Sequence, residues 1–207
     1  MCEKPILFST DMVRAILDGR KTMTRRIVKG LPDDQSGCDL GVIKTNYGEL
    51  TGYGFETMPY QPGDILWVRE TWAMLNLDHH PINVGNPDYP VIYVYKADHE
   101  TGNDGPDRIK WRPSIHMPRE AARIFLKVID VRVERLQDVT PEDIAAEGLP
   151  SFIIPPGHEH YKNVCGENWL GFDWYIKLWN NIYAKRGYGW KVNPWVWVIE
   201  FERKIQS

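Results

Sequence analysis

The sequence predicts an α+β fold, a mainly antiparallel and partly closed β-barrel decorated by helices. The segments run strand, helix, several strands, short helix, long helix and final strand, whereas a doubly wound parallel sheet alternates strands with helices. Several strand-like segments alternate apolar with polar residues, so each has one buried and one solvated face. Hydrophobic residues make up 43% of the 207 residues, enough to build a core. We expect one domain, residues 1–207.

The N-terminal elements follow from local signals. The segment PILFS, Pro5 to Ser9, is strand-like, and STDMVRAILDG spaces its apolar residues as a helix does. Ser9 or Thr10 can cap this helix, and Gly19 can take the left-handed conformation that ends it. TRRIV is the next predicted strand. Further strands are predicted within QPGDILWVRETW and PVIYVYKA, which follow irregular insertions at about 31–63 and 76–89.

The C-terminal half combines the longest strand with two helices and a closing strand. AARIFLKVIDVRVERL is the longest β-like run, and TPEDIAAEGL carries Thr140 as N-cap, Pro141 at the first helical position and Gly148 as a stop. A third insertion, at about 150–166, follows. An aromatic stripe in GFDWYIKLWNNIYAK predicts a helix that packs on the core: Phe172, Tyr175, Trp179, Ile182 and Tyr183. PWVWVIEFE closes the chain as a strand.

Charge, cysteines and histidines exclude several classes of protein. The net charge of −3 argues against a long nucleic-acid footprint. Three scattered cysteines, and a start that resembles neither a signal peptide nor a membrane span, predict a cytoplasmic protein. The motifs HH (His79, His80) and HEH (His158 to His160) have no third ligand at a recognisable spacing, so no metal is predicted. No cofactor motif is present in the sequence either.

The segment GRKTMTRR, from Gly19 onward, collects four cations and two threonines without a carboxylate. Cations near a helix C-terminus can offset its dipole, and arginines on a strand can simply face water. Alternatively, this segment takes part in catalysis. A threonine hydroxyl needs a base to become a nucleophile, and a desolvated Lys21 beside Thr24 can be that base. Three arginines then remain to hold a phosphate or a carbonyl oxygen: Arg20, Arg25 and Arg26.

Strand geometry decides which of these side chains meet. Residues two apart on a strand share a face, so Thr24 and Arg26 are expected on one face. Met23 and Arg25 are expected on the other, together with Lys21 if the strand begins there. A turn at Lys21 relaxes this rule and can bring its ammonium beside Thr24.

The segment WVRETW supplies the remaining candidates for substrate binding. Arg69 and Glu70 form a charged pair between Trp67 and Trp72. Such a pair can line a pocket, with a tryptophan stacking on a base and Glu70 reading an amino edge. An ordinary strand with one solvated face explains the same pattern.

GRKTMTRR resembles the signature of the ASCH family, small β-barrel domains related to the PUA fold. That signature is Gly-x-Lys-x-x-Glu-x-Arg. Gly19, Lys21 and Arg26 fit it, and Thr24 stands in place of the glutamate. The family's N4-acetylcytidine amidohydrolases carry the same replacement. The resemblance implies that Lys21 is the proton acceptor, Thr24 the nucleophile, and a glutamate in a later helix the proton donor.

The donor implied by this resemblance is Glu147 in TPEDIAAEG, with Glu142 and Asp143 in the same helix as alternatives. The chain also resembles longer ASCH-type proteins of phages and prophages, in stretches such as GDILWVRETW and WRPSIHMPREAARI. The three insertions have no counterpart in the amidohydrolases, which are about half as long.

Two functions that involve a nucleoside or RNA remain open at this point, beside a third option, a phage accessory protein whose surface contacts a host protein. The first is hydrolysis of an acyl amide on a modified, cytidine-like nucleoside, free or within RNA. The second is a non-catalytic module of phage origin that binds RNA or a modified base. The expected partner in both cases is a modified nucleoside or single-stranded RNA, with no membrane involved.

Overall fold

The protein is described by a computed structural model that covers residues 2–28, 58–75, 92–99, 109–150, 153 and 170–204. The α+β class is confirmed. The strands are β1 (Glu3–Leu7), β2 (Met23–Ile27), β3 (Ile65–Arg69), β4 (Trp72–Leu75), β5 (Ile92–Tyr95), β6 (Phe125–Arg135) and β7 (Trp195–Lys204). The helices are α1 (Thr10–Leu17), α2 (Pro141–Ala146) and α3 (Leu170–Tyr183). Most of the predicted insertions at 31–63, 76–89 and 150–166 lies outside the described residues.

Five of the strands form a mixed sheet in the order β1-β3-β6-β7-β2, and β4 pairs with β5 in a second, antiparallel sheet. Strands β2 and β7 are antiparallel, as are β3 and β6. Strands β1 and β3 are parallel, with Glu3 opposite Ile65. A parallel pair needs a long crossover between its strands, and α1 lies in that connection. The order of the described strands ends at β1 and β2, so a closed form of the predicted barrel is not found among them.

Helix α1 begins and ends where its local signals predict. The hydroxyl of Ser9 accepts a hydrogen bond from the Met12 backbone N–H at 3.4 Å, and Gly19 has a φ of +74°. Ser9 is therefore the N-cap of α1 and does not belong to β1. This use of Ser9 explains why β1 ends at Leu7, two residues before the predicted strand end.

The chain divides into two compact units, each with its own buried residues. The first contains Met1–Gly19, Asp64–Lys127 and Arg203–Ser207, and the second contains Arg20–Gly63 and Val128–Glu202. A core cluster in the second unit joins residues of β2, α2, α3, β7 and the segments on either side of α2: Met23, Leu136, Val139, Ile144, Leu149, Tyr175, Trp179, Tyr183, Val196 and Val198. Three residues of the predicted α3 stripe, Tyr175, Trp179 and Tyr183, are therefore core, and Phe172 packs against them. Ile182, the fifth member, is 37% exposed and lies outside the core, contrary to the prediction.

Helix α2 is only six residues long, and a capping box fixes its first turn. The Thr140 hydroxyl accepts from the Asp143 backbone N–H at 3.2 Å, and the Asp143 carboxylate accepts from the Thr140 backbone N–H at 3.2 Å. Each side chain thus satisfies a backbone donor of the other residue. Because α2 carries Glu147 at its C-cap, this box also helps to position that carboxylate.

We expect Thr140→Ala to lower the free energy of unfolding by about 1 kcal/mol, the usual cost of losing an N-cap hydroxyl. Thr140→Ser keeps the hydroxyl and is expected to stay close to the unsubstituted protein. Urea denaturation of all three proteins measures the difference. Equal stability of the alanine and serine variants would contradict this role for Thr140.

Within the described segments, no helix combines the length and the apolar character needed to cross a membrane.

Candidate functional site

The site begins where the chain enters β2 along the C-terminal carbonyls of α2. The backbone N–H of Thr22 donates to the carbonyl of Ala146 at 2.9 Å. The Arg20 guanidinium donates to the carbonyls of Gly148 and Leu149 at 3.1 and 3.3 Å. The last carbonyls of a helix have no partner within the helix and attract cations. Thr22 thus satisfies a carbonyl of the last turn of α2, and Arg20 binds the two carbonyls that follow the C-cap, the first of them 128 residues away in sequence.

Lys21 and Glu147 form a buried ion pair at the centre of this junction. The Nζ atom of Lys21 lies 2.7 Å from Glu147 Oε2. It also donates to the carbonyls of Met23 at 2.7 Å and of Glu147 at 2.9 Å. An ammonium has three donors, and these three acceptors use all of them. The Lys21 side chain is 0% exposed and that of Glu147 is 5% exposed. Burial lowers the pKa of Lys21, and the charge of Glu147 opposes that shift.

Arg25 adds a second buried cation, surrounded by carboxylates. Its Nη2 atom lies 2.7 Å from Asp143 Oδ2 and 3.2 Å from Glu134 Oε2. Its Nη1 atom lies 3.5 Å from Glu147 Oε1. A buried charge is tolerated only when it is paired, and these acids supply the pairing. The Arg25 side chain, a sequence candidate for substrate binding, is 0% exposed and is held inside the protein.

Thr24 and Arg26 occupy the opposite face of β2. The Oγ1 atom of Thr24 accepts a hydrogen bond from Arg26 Nη1 at 3.1 Å. Arg25 Nη1 lies 3.5 Å from the sulfur of Met23. This is the alternation of faces expected along the strand. Thr24 is 1% exposed, and its hydroxyl lies next to a positive charge that would stabilise an alkoxide.

Lys21 reaches the peptide group that leads into Thr24. The carbonyl bound by the Lys21 ammonium belongs to Met23, whose carbonyl carbon is bonded to the Thr24 nitrogen. Just before this point, the N–H of Thr22 donates to the carbonyl of Ala146 in α2, while the Thr22 carbonyl accepts from the Phe201 N–H of β7. These two hydrogen bonds tie the entrance of β2 to both α2 and β7.

The three acidic residues in α2 and at its C-cap have different surroundings. Glu147, at the C-cap, binds Lys21, whereas Asp143, one turn earlier, binds Arg25. Glu142 lies in the first turn and is exposed. Of the three acids considered from the sequence, Glu147 is the one paired with Lys21.

The candidates of WVRETW lie in the first unit, where Glu70 belongs to another charge cluster. The Glu70 carboxylate is 1% exposed and accepts from Arg123 Nε at 2.9 Å and Nη2 at 3.1 Å. The Arg123 guanidinium also binds Asp98 at 2.7 Å and lies 3.9 Å from the centre of the Tyr95 ring. Burial raises the pKa of Glu70, and Arg123 opposes the shift. Sequence reasoning missed Arg123, which stands just before β6 without a motif.

The neighbouring aromatic residues are covered by arginines. The guanidinium of Arg69 lies 5.4 Å from the centre of the Trp67 ring, and that of Arg112 lies 5.2 Å from the centre of the Trp72 ring. Trp72 is 3% exposed and packs with Met117. In this conformation its ring is core and not an open stacking platform.

The two histidine motifs fall outside the described residues. Among the residues that are described, no group of three or more His, Cys, Asp or Glu side chains is arranged to hold a metal ion.

No protein-family model and no curated protein matches this sequence. A solved structure similar to this chain is a high-resolution crystal structure of an ASCH domain from Lactobacillus crispatus JV V101. The TM-score is 0.40 and the sequence identity is 15%, with 98% of this chain and 79% of that chain covered.

Proposed function

We propose that this protein is an ASCH-type amide hydrolase that removes an acyl group from the exocyclic amine of a cytidine-like nucleoside. The observation that carries the proposal is the buried 2.7 Å hydrogen bond between Lys21 and Glu147, at the peptide that leads into Thr24. The pair supplies a base and an acid, and the proposal adds the hydroxyl of Thr24 on the other face of β2, toward which the Lys21 side chain must turn for the reaction. Acyl transfer to a hydroxyl needs these three groups.

The Lys21–Glu147 hydrogen bond gives access to the protonation states that the reaction requires. Transfer of one proton from Lys21 to Glu147 Oε2 converts the ion pair into a neutral amine and a neutral carboxylic acid. Burial favours neutral forms over charged ones, and the lowered pKa of Lys21 has the same cause. The neutral amine is a base and the protonated carboxyl is an acid, so one short transfer prepares both groups.

The first half of the reaction then forms an acyl-threonine. Lys21 takes the Thr24 hydroxyl proton as the oxygen bonds to the acyl carbon, and the carbonyl electrons move to its oxygen. A cation or backbone N–H near this oxygen stabilises the developing charge, and Arg26, bound to Thr24 Oγ1, is the nearest named cation. Collapse breaks the carbon–nitrogen bond, and the leaving amine takes the proton of Glu147. The ion pair is thereby restored.

Water completes the cycle by the same proton path. After a second transfer from Lys21 to Glu147, Lys21 takes a proton from water as the water oxygen attacks the acyl carbon. The ester bond to Thr24 breaks, Thr24 Oγ1 receives the proton of Glu147, and the carboxylic acid leaves. Atoms and charges balance without a cofactor.

This sharing of one proton predicts a bell-shaped pH dependence of kcat/KM. A second proton on the pair blocks Lys21 as base at acidic pH, and loss of the shared proton removes the acid at alkaline pH. Because burial lowers the pKa of Lys21 from its ordinary 10.5, we expect the alkaline limb below pH 10.5. Initial rates across the pH range, with stability checked at each pH, measure it. Activity that still rises at pH 10.5 would contradict the pairing.

The direct test is incubation of the purified protein with N4-acetylcytidine and, separately, with a short single-stranded RNA that carries the same base. Chromatography resolves cytidine from the substrate. We expect cytidine and acetate in equal amounts, and the faster of the two substrates identifies whether free nucleoside or RNA is preferred. Binding of both substrates without product would overturn the proposal.

A second candidate function is non-catalytic recognition of a modified base or of single-stranded RNA. The observation that favours it is the complete hydrogen bonding of the Lys21 ammonium together with the 1% exposure of Thr24. In that case the pair only holds β2 to α2. Affinity measured against salt concentration tests it, because phosphate-driven binding falls steeply with salt and capture of a nucleoside does not.

A further inference from the structure

Three buried polar atoms of the second unit converge next to the Lys21–Glu147 pair. They are Arg25 Nε, Glu147 Oε1 and the hydroxyl of Tyr175, and among the described residues none of the three has a hydrogen-bond partner. Arg25 is 2% exposed, Glu147 5% and Tyr175 2%. Buried polar atoms are nearly always hydrogen-bonded, and an unpaired one needs an explanation. Three in one cluster point to a common partner.

The contact between Arg25 and Glu147 is long for a charged pair. Arg25 Nη1 lies 3.5 Å from Glu147 Oε1, longer than the roughly 2.7–2.9 Å usual for such a charged pair. Tyr175 belongs to the same core cluster as Met23, which contacts Arg25. The charges of Glu147 and Arg25 both act on the Tyr175 hydroxyl, and its pKa lies well above the ordinary value, chiefly because of burial. The hydroxyl therefore stays protonated: the Arg25 guanidinium lies close enough to act on its oxygen as a donor, and its own proton can go to a further acceptor.

The charges around these atoms select the kind of ligand. Lys21 and Arg25 would repel a cation, whereas Glu147, Asp143 and Glu134 would repel an anion. A small neutral molecule with both donors and acceptors fits both sets. Water accepts from Arg25 Nε–H, donates to Glu147 Oε1 and exchanges a hydrogen bond with Tyr175, which gives it the three partners typical of buried water.

We propose that Arg25, Glu147 and Tyr175 bind one buried water molecule, and that Tyr175 acts through it as a positioning residue for the Lys21–Glu147 pair. Lys21 donates a hydrogen bond to Oε2 of the Glu147 carboxylate, and the proposed water donates one to Oε1. A hydrogen bond to a carboxylate favours its charged form. The water thus stabilises the ion pair and sets how readily Lys21 gives its proton to Glu147, a consequence that rests on the proposed function.

A crystal structure at high resolution tests the water site without any substrate. We expect one spherical density peak within hydrogen-bond range of Glu147 Oε1, Arg25 Nε and the Tyr175 hydroxyl, and loss or displacement of that peak in Tyr175→Phe. A direct hydrogen bond between the Tyr175 hydroxyl and Glu147, with no density between them, would overturn the proposal.

The positioning role is tested by the titration of Lys21, followed by NMR of ¹⁵N-labelled lysine side chains. Without the water, charged Glu147 is less favoured, so Tyr175→Phe should lower the pKa of Lys21 further, by about half a unit or more. Tyr188→Phe is the matched control, because Tyr188 packs against the same core cluster. Equal pKa values of Lys21 in the two variants would exclude the role. Neither measurement uses catalysis, so an inactive protein would refute the hydrolase function and leave this inference standing.

Discussion

Lys21→Met is expected to lower kcat/KM by at least about 10³-fold, since it removes the proposed base. The same substitution should lower the free energy of unfolding by about 3–5 kcal/mol, the cost of leaving one partner of a buried ion pair uncompensated. Methionine has a similar length, but Glu147 and the Met23 carbonyl both lose a donor. Urea denaturation and the deacylation assay measure the two effects.

Two further variants separate the stability effect from the catalytic effect. Lys177→Met removes an exposed lysine of α3 and should change neither quantity appreciably. The double variant Lys21→Met with Glu147→Leu replaces the pair by apolar side chains, which often restores stability. It should regain stability over Lys21→Met and remain inactive. A double variant that hydrolyses substrate would remove both residues from the reaction.

Thr24→Val is expected to reduce hydrolysis by at least about 10³-fold, because valine keeps the shape of threonine and lacks the nucleophilic oxygen. The free energy of unfolding should fall by only about 1 kcal/mol, the usual net contribution of one hydrogen bond, here that from Arg26. Activity and urea denaturation are measured on the same preparations.

Thr24→Ser is the matched control, since it keeps the hydroxyl and loses only a methyl group. We expect it to retain substantial activity. Full activity in the valine variant would show that the hydroxyl takes no part in the chemistry, and it would favour direct attack by water or a binding function.

The helices and most strands were predictable because their signals are local. Ser9 and Thr140 lie directly before their helices, and Gly148 directly after the C-cap of α2, so capping and φ preferences fix the boundaries without any tertiary contact. The parallel pairing of β1 with β3 was not predictable in this way, because the apolar pattern of a strand does not specify its neighbour.

The site was predictable only in part, and for a similar reason. Lys21 and Glu147 are 126 residues apart, and only the family resemblance joined them in advance. The sequence placed Arg25 among substrate-binding residues because a strand arginine ordinarily seeks solvent or a ligand. Its burial follows from Asp143 and Glu134, which come from two other elements. Tyr175 was predicted as core, and its packing agrees. Helical spacing does not predict that the Tyr175 hydroxyl lies beside a cluster of charged side chains.

Acid-quench peptide mapping during turnover of N4-acetylcytidine tests the central claim most directly. The account predicts an acetyl group on the peptide that contains Thr24, gained within the first turnover and lost as substrate is exhausted, and no such adduct in Thr24→Val. Turnover with no acylated peptide, or with the acyl group on a different residue, would contradict it.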